Sequence, residues 1–341
     1  TVTKTYDGTT SAAGSGTVGA LAGAGAGETV ASAGTQSFQT KNVGVGKKVQ
    51  ATGVTIKDSG NADVTSNYLI TFNCNGVDPS NGTYEVVDGE LTSIWNCYSP
   101  SLILDNSIER IRYSTQIPTG ITSITLPDNP NLQIAVSGFS QGDDLTQFVI
   151  NSPDSPFQTV DGVLLSRDGT RLIAYPANRP GATWTIPSTV QTVDRFAIAY
   201  TKNLTTINVP AGVSTGLDSA FQEYWSRNQV ISQINVDPQN QNFSSIDGAL
   251  FNVDGTVMYY YPIGKTERDY TIPSSVTAVG MYAFLHSKLE RIYFPPNLLD
   301  LSYLAIQNNP NLTYISPLPA SISLDQYSIN ENALLSAINI D

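Results

Sequence analysis

The chain has 341 residues, the length of two ordinary domains or of one long repeat array. Charged residues make up only 13%, and 27 glycines and 19 prolines favour turn-rich β-structure over long surface helices. A net charge of −12, without a long basic run, argues against nucleic acid, since no surface would release many phosphate counterions. One histidine and two cysteines leave little material for metal sites or histidine catalysis. We therefore expect a non-enzymatic protein with no cofactor and no metal.

The apolar stretches are short and broken by Thr, Asn or Pro, so none approaches the ~20 residues that a membrane span requires. The sequence begins at Thr1 without a basic and apolar leader, which we interpret as a mature chain or a fragment. Cys74 and Cys97 lie 23 positions apart. A disulfide between them would fit an oxidising compartment, and two unrelated buried thiols are the alternative.

The first 72 residues are poor in bulky side chains. Residues 11–34 are almost all small, and the flanking segments favour short strands separated by Gly-rich turns, or a flexible linker. Residues 4–10 (KTYDGTT), 41–49 (KNVGVGKKV) and 67–70 (NYLI) resemble, in this order, the YDG domain of large bacterial surface proteins. That resemblance implies an immunoglobulin-like β-sandwich over residues 1–72, which acts as a spacer in secreted adhesins.

Beyond about residue 118 the chain repeats itself with an offset of 86 residues. Asp161-Gly162 recurs as Asp247-Gly248, and residues 185–188 (TIPS) recur as 271–274. A constant offset predicts a solenoid, in which each unit covers the apolar side of its neighbour. A shorter pattern of three apolar residues, often followed by Pro, marks one strand per rung, and we expect these strands to form one parallel sheet. Its clearest copies begin at Ile121, Leu204, Ile231, Leu289 and Leu335.

Two Asp-Gly pairs predict inserted β-hairpins. Asp168-Gly169 separates two apolar runs, and Asp254-Gly255 does the same 86 residues later. Calcium binding is the functional alternative, but the clustered carboxylates of an EF-hand loop are missing, so we favour a turn role.

The repeats resemble the BspA-like leucine-rich repeats of bacterial cell-surface proteins. The resemblance is carried by residues 185–193 and 271–279, by Tyr282-Ala283-Phe284 and by the turns at Asn203 and Asn311. It implies a secreted or surface-anchored binding protein, in some members an adhesin for host or matrix proteins. We assign residues 118–341 to this solenoid.

Residues 73–117 fit neither module, and we interpret them as a transition and N-terminal cap that Cys74 and Cys97 hold together. At the other end the sequence stops inside a rung at Ile340-Asp341. Either the chain continues or another molecule protects this strand, so self-association through the last rung is one expectation.

No catalytic constellation emerges from the sequence. His286 is the only imidazole, and we expect it in a surface turn. The neighbouring Asp143 and Asp144 would point in opposite directions on an extended chain, so they cannot flank one glycosidic bond. We expect them to solvate a loop.

Strand alternation identifies a candidate ligand surface on the solenoid. The positions between the apolar residues of each rung should face outward, where they form a polar and nearly uncharged face. The second hairpin ends in Tyr259-Tyr260-Tyr261, of which we expect at least one ring to be exposed, and it adds Tyr260, which replaces Ala174 of the first copy, to the candidate contacts. An ordinary solvated sheet, and a Tyr260 that merely fills space, are the alternatives. The predicted contacts are Ser123, Thr125, Thr206, Asn208, Gln233, Asn235, Tyr260, Arg291, Tyr293 and Tyr314.

Taken together, the sequence predicts an extracellular or cell-surface adhesin that contacts a protein or glycan of a host, matrix or neighbouring cell. A carbohydrate-binding or polysaccharide-degrading surface protein is the main alternative. A structural filament or matrix subunit is the third.

Overall fold

The computed structural model describes residues 29–38, 49–57, 84–94, 100–112, 115–135, 139–140, 142–221 and 230–340. These residues are mainly β-structure with one four-residue helix, so the predicted fold class is confirmed for the body of the chain. In the N-terminal module, strands β1 (Thr29–Phe38) and β2 (Val49–Lys57) form an antiparallel pair. The sandwich remains a prediction. The proposed Cys74 and Cys97 bridge lies outside the described residues.

The remaining elements fall into three stretches of the chain. The first contains β3 (Tyr84–Val87), β4 (Glu90–Ile94), β5 (Ser101–Ile103), β6 (Arg110–Ile111), β7 (Thr115–Gln116), β8 (Ser123–Thr125), β9 (Gln133–Ile134), β10 (Phe139–Ser140) and β11 (Gln147–Val149). The second contains β12 (Phe157–Val160), β13 (Val163–Ser166), β14 (Arg171–Ala174), β15 (Thr183–Thr185), β16 (Thr192–Val193), β17 (Thr206–Val209), α1 (Leu217–Ala220) and β18 (Gln233–Val236). The third contains β19 (Phe243–Ile246), β20 (Ala249–Asn252), β21 (Val257–Tyr260), β22 (Asp269–Thr271), β23 (Ala278–Val279), β24 (Arg291–Tyr293), β25 (Asp300–Leu301), β26 (Ile306–Gln307), β27 (Tyr314–Ile315), β28 (Ser323–Leu324) and β29 (Ile329–Asn330).

A complete rung contributes strands to three separate parallel sheets. The turn that starts at β5 adds β6 to a second sheet and β7 to a third before the chain returns to β8 beside β5. We call the sheet position of β5, and the equivalent position in every later rung, side one. The side-one strands were predicted to form one sheet. That expectation is wrong, because side one is divided into the sheets β5-β8-β11, β15-β17-β18 and β22-β24-β27. We call these parts block 1 (residues 84–150), block 2 (183–236) and block 3 (269–340).

Three-stranded antiparallel units separate the blocks, and we call them wall 1 (β12, β13 and β14) and wall 2 (β19, β20 and β21). The predicted hairpins at Asp168-Gly169 and Asp254-Gly255 are confirmed as the second turn of each wall. The first strand of each wall was not anticipated. Within the turn, the Asp168 carboxylate accepts hydrogen bonds from the Ser166 hydroxyl and from the Thr170 amide and hydroxyl, which is the expected turn chemistry.

Each wall is buried on both faces and packs against two different cores. In wall 1, Leu164 and Ala174 join the core of block 1, whereas Leu165 and Leu172 join the core of block 2. Burial on both faces explains why the wall strands read as continuous apolar runs instead of alternating ones. The 86-residue period therefore has a structural meaning, since one period comprises one block of rungs and one wall.

The first turn of each wall requires glycine and is tied to the next loop. Asp161-Gly162 and Asp247-Gly248 have positive φ at both residues, and a Cβ on Gly162 would lie 2.8 Å from that of Gln147. A basic side chain closes each turn, because Arg179 Nε donates to the Asp161 carbonyl and Lys265 Nζ donates to the Asp247 carbonyl, both at 2.8 Å.

Stacked strands are already present at β5 and β6, inside the segment that the sequence analysis assigns to the N-terminal cap. At the far end, Ile340 pairs with Leu318 through one isolated bridge, and Leu334, Ile338 and Ile340 are exposed. Self-association through this rung remains a prediction.

Candidate ligand-binding face

Side one of block 3 combines accessible charged and aromatic side chains, which the predicted contacts in the other two blocks do not. Parallel pairing places Asp269, Arg291 and Tyr314 in one outward row, and Thr271 beside Tyr293 in the next. We call these five residues the tyrosine shelf. The shelf has a firm base, because the intervening Ile292 and Ile315 are buried in the core of block 3.

Two ion pairs cross the strands at the shelf. Arg291 donates two hydrogen bonds to Asp269, from Nε to Oδ1 at 2.7 Å and from Nη2 to Oδ2 at 2.8 Å. The Arg291 guanidinium thereby lowers the pKa of the Asp269 carboxyl, and Asp269 in turn raises the pKa of Arg291. Next to them, Arg268 Nε donates to Glu290 Oε1 at 2.6 Å. These four charges are therefore paired with one another, and the face is electrically neutral at this place.

The two tyrosine rings lie side by side on adjacent strands. The centroids of Tyr293 and Tyr314 are 5.7 Å apart and their planes are inclined by 52°. Tyr314 is 41% exposed and Tyr293 is half-buried. Rings held in this way present a rigid apolar surface with polar groups at its border.

Side one of block 2 has the same strand arrangement but a different surface. Asn208 Nδ2 donates to Thr185 Oγ1 at 3.0 Å, and Asn235 Nδ2 donates to Asn208 Oδ1 at 2.9 Å. Gln233 Nε2 donates to Asn235 Oδ1 at 2.8 Å. We call these four residues the polar ladder. Much of its hydrogen-bonding capacity is used between the rungs.

The predicted exposure of Ser123 and Thr125 in block 1 is wrong, because both residues are only 8% exposed. They stand on the central strand of their sheet, where Thr125 is in register with Ile103 on one side and Val149 on the other. Thr125 is shielded by these larger neighbours, and Ser123 lies beside the longer Gln147 on one side. Neither residue is available as a contact in this conformation.

Tyr260 is also unavailable as a contact, and its burial favours the alternative that it fills space. Tyr260 is 3% exposed and stacks on Phe221, with ring centroids 5.2 Å apart. It points from wall 2 into the core of block 2, while Tyr261 points into the core of block 3. Alternation did place Tyr260 and Tyr261 on opposite faces, but both faces of a wall are buried. Burial raises the pKa of both phenols.

The residues considered for catalysis lie apart and have structural contacts. His286 lies in a turn as predicted, but it is buried and not at the surface, and its Nδ1 is 3.4 Å from the Asn308 carbonyl oxygen. Asp143 pairs with Lys202 at 3.1 Å, and Asp144 accepts a hydrogen bond from the Gly120 amide at 2.8 Å. Asp143 therefore ties a loop of block 1 to a loop of block 2, and Asp144 ties two loops of block 1 together.

Sequence reasoning did not identify Asp269, Thr271, Arg268 or Glu290 as parts of the face. The rung length contains the missing signal, since Asp269 precedes Arg291 by 22 residues and Arg268 precedes Glu290 by the same distance. Opposite charges one rung apart stand opposite each other in a parallel sheet. Thr185 of the polar ladder precedes Asn208 by 23 residues and was missed for the same reason.

Within the described part of the chain, no three His, Cys, Asp or Glu side chains come together as metal ligands would. In the same residues, no helix has the length and apolar character to cross a membrane.

Among solved structures, the chain is similar to the pneumococcal vaccine antigen PcpA (20% identity, TM-score 0.41), over 67% of this chain and 55% of that one. It is similar to a leucine-rich repeat protein from Eubacterium ventriosum (18%, TM-score 0.43), with 74% and 68% covered. A third similar structure is a leucine rich cell surface protein from Faecalibacterium prausnitzii (18%, TM-score 0.40), with 63% and 59% covered. No curated protein matches.

Two family models match the sequence in separate regions. Residues 1–74 match the YDG domain. Residues 180–254 and 263–341 match the BspA type leucine rich repeat region, in six copies. Both resemblances noted in the sequence are thereby confirmed, and this chain carries a YDG domain followed by a BspA-type leucine-rich repeat region.

Proposed function

We propose that this protein is a secreted or surface-exposed binding protein of the adhesin type, which holds its partner on the tyrosine shelf and catalyses no reaction. The surface location is supported by the BspA-type region, because the family resemblance implies surface attachment or secretion. Adhesion requires a platform that keeps its shape, and the three cores joined through two walls provide one.

One observation carries the choice of the shelf as the binding surface. Tyr293 and Tyr314 are adjacent rings on a side-one sheet, and Tyr314 is substantially exposed although the strand beneath is anchored in the core. Exposed tyrosines on rigid elements are common contact residues, since they bury a large area at a small cost in conformational entropy. No residue of the polar ladder is aromatic, and its side-chain amides form hydrogen bonds within the ladder.

Binding of the purified full chain to intact cells and to extracellular matrix tests this proposal. The substitutions Tyr293→Ala and Tyr314→Ala together should reduce bound protein about tenfold, which corresponds to about 1.4 kcal/mol of binding free energy. The matched control is Asn208→Ala with Asn235→Ala, which alters the equivalent face of block 2 and should leave binding intact. Equal binding by the wild type and the tyrosine variant, at equal folded fraction, would contradict the proposal.

A further inference from the structure

We propose that the tyrosine shelf binds an uncharged saccharide, which rests on the rings of Tyr293 and Tyr314 and forms hydrogen bonds with Asp269 and Arg291. This inference rests on the proposed function, because it names the ligand class of the same face. The charge balance of the shelf, its strand pairing and the chemistry of its polar groups all favour such a ligand.

The charges around the shelf favour a neutral ligand. Arg291 is neutralised by Asp269 through two hydrogen bonds, and Arg268 is neutralised by Glu290. An acidic or basic ligand would have to break one of these pairs to gain a counter-ion. The whole chain has a net charge of −12, which further disfavours acidic partners.

The strand pairing of the shelf favours a ligand that contacts side chains over a peptide strand added beside β24. The shelf residues stand on three parallel strands in register, and β24 is hydrogen-bonded to β22 on one side and to β27 on the other. The backbone of β24 is therefore occupied, and an extended peptide cannot pair with it. What remains is a surface of side chains in which two neighbouring rings are inclined to each other by 52°.

The polar groups beside the rings match the hydroxyl groups of a sugar. A hydroxyl donates one hydrogen bond and accepts others, so it can donate to the Asp269 carboxylate while it accepts from the Arg291 guanidinium. The side chains of Asp269 and Arg291 are 44% and 49% exposed, which leaves both accessible from solvent. A pyranose combines an apolar C–H face for the rings with a border of hydroxyl groups for the pair.

The polar ladder shows what the same scaffold looks like without these features. Asn208 stands where block 3 has Tyr293, in register with Thr185, as Tyr293 is with Thr271. The Asn208 side chain is hydrogen-bonded to Thr185 and to Asn235, and these two in-register neighbours offer no ring for a sugar to stack on. The two faces therefore provide a test region and an internal control in one molecule.

The experiment uses the full chain and a panel of immobilised neutral oligosaccharides, with sialylated and sulfated ones beside them. The wild type should bind at least one neutral oligosaccharide, with little dependence on salt, because no net charge contributes. Tyr314→Ala and Tyr293→Ala should each weaken that binding about threefold and together about tenfold, whereas Asn208→Ala with Asn235→Ala should not change it. Tyr314→Trp should retain binding, since it keeps an aromatic surface.

Several results would overturn the assignment. One is a panel without any neutral ligand, another is preference for the charged glycans, and a third is neutral binding that the tyrosine variants keep. Periodate and protease treatment of the natural surface separates the two proposals. If adhesion needs the tyrosines and is lost after protease but survives periodate, the ligand is protein, and only the saccharide assignment fails. If adhesion is independent of the tyrosines, the proposed function fails as well.

Discussion

Blocks 2 and 3 are built on the same scaffold and present different surfaces. In both, three parallel strands lie in register over a buried apolar row. In block 2 the outward amides bond to one another across the rungs, and in block 3 the outward positions hold paired charges and two tyrosine rings. The repeat thus maintains what points inward and lets the outward residues vary. The binding role that we propose is consequently assigned to block 3 and not to the solenoid as a whole.

The walls show that divergence between copies is not by itself a sign of a binding site. Ala174 of wall 1 corresponds to Tyr260 of wall 2, and both are buried. The larger side chain fills space in block 2, where it stacks on Phe221. Differences between repeats therefore arise from packing as well as from recognition, and burial separates the two causes.

The largest expected effect distinguishes a core tyrosine from a shelf tyrosine. Tyr260→Ala should lower the free energy of unfolding by about 3–5 kcal/mol, because it leaves a cavity beside Phe221. Tyr314→Ala should change it by about 0.5 kcal/mol or less, as is usual for an exposed side chain. Urea denaturation of both variants measures the difference. Similar losses in the two variants would mean that Tyr314 also supports the core and that the shelf is not a free surface.

The sequence was sufficient for the repeat and its strands but not for its surfaces. The offset of 86 residues and the apolar pattern predicted the rungs and the wall hairpins, because burial constrains those positions strongly. Neither signal predicted that the walls are buried on both faces, so Tyr260 was ranked as an accessible contact although it is buried. Exposure on side one depends on the size of neighbours one rung away, which is why Ser123 and Thr125 were misplaced while Tyr314 was not.

A second prediction concerns an ion pair between wall 1 and block 2 that has no counterpart between wall 2 and block 3. Arg171 of wall 1 donates two hydrogen bonds to the buried Asp194 of block 2, at 2.6 and 2.7 Å, and the equivalent residues are Val257 of wall 2 and Gly280 of block 3. Arg171→Val alone should lower the free energy of unfolding by about 3 kcal/mol, since it leaves a buried carboxylate without its partner.

Combining Arg171→Val with Asp194→Gly copies the arrangement of block 3 and should recover part of that loss. Thermal and urea unfolding of both variants provide the comparison. A double variant less stable than the single one would show that the two blocks do not tolerate the same pair of residues.

A third prediction tests whether the polar ladder is structural and the shelf is not. Asn208→Ala removes two hydrogen bonds between rungs and should cost about 1 kcal/mol of stability while sparing adhesion. Tyr293→Ala should have the reverse profile, with reduced adhesion and a smaller loss of stability. Adhesion and the free energy of unfolding should both be measured for both variants. A loss of adhesion in the Asn208→Ala variant would contradict the assignment of a structural role to the polar ladder and a binding role to the shelf.

The smallest effect is a difference in pH dependence between one aspartate of each block. Burial raises the pKa of Asp194 above its ordinary value of 3.8, although the hydrogen bonds from Arg171 oppose this shift. The hydrogen bonds from Arg291 lower the pKa of Asp269 below the same value. A raised folded-state pKa means that protonation favours the folded state, and a lowered one means that ionisation does.

The two contributions therefore change on opposite sides of pH 3.8 and with opposite signs. The contribution of Asp194 is complete below 3.8 and is lost as the pH rises through its raised pKa, so wild type should gain stability relative to Asp194→Asn on acidification from neutral pH. The contribution of Asp269 is present above 3.8 and is lost as the pH falls through its lowered pKa, so wild type should lose stability relative to Asp269→Asn at lower pH. Urea unfolding over a pH series measures both differences. If both stability differences between wild type and variant change in the same direction with pH, the two carboxylates do not differ as their burial and partners imply. The contrast between the blocks would then not extend to their charges.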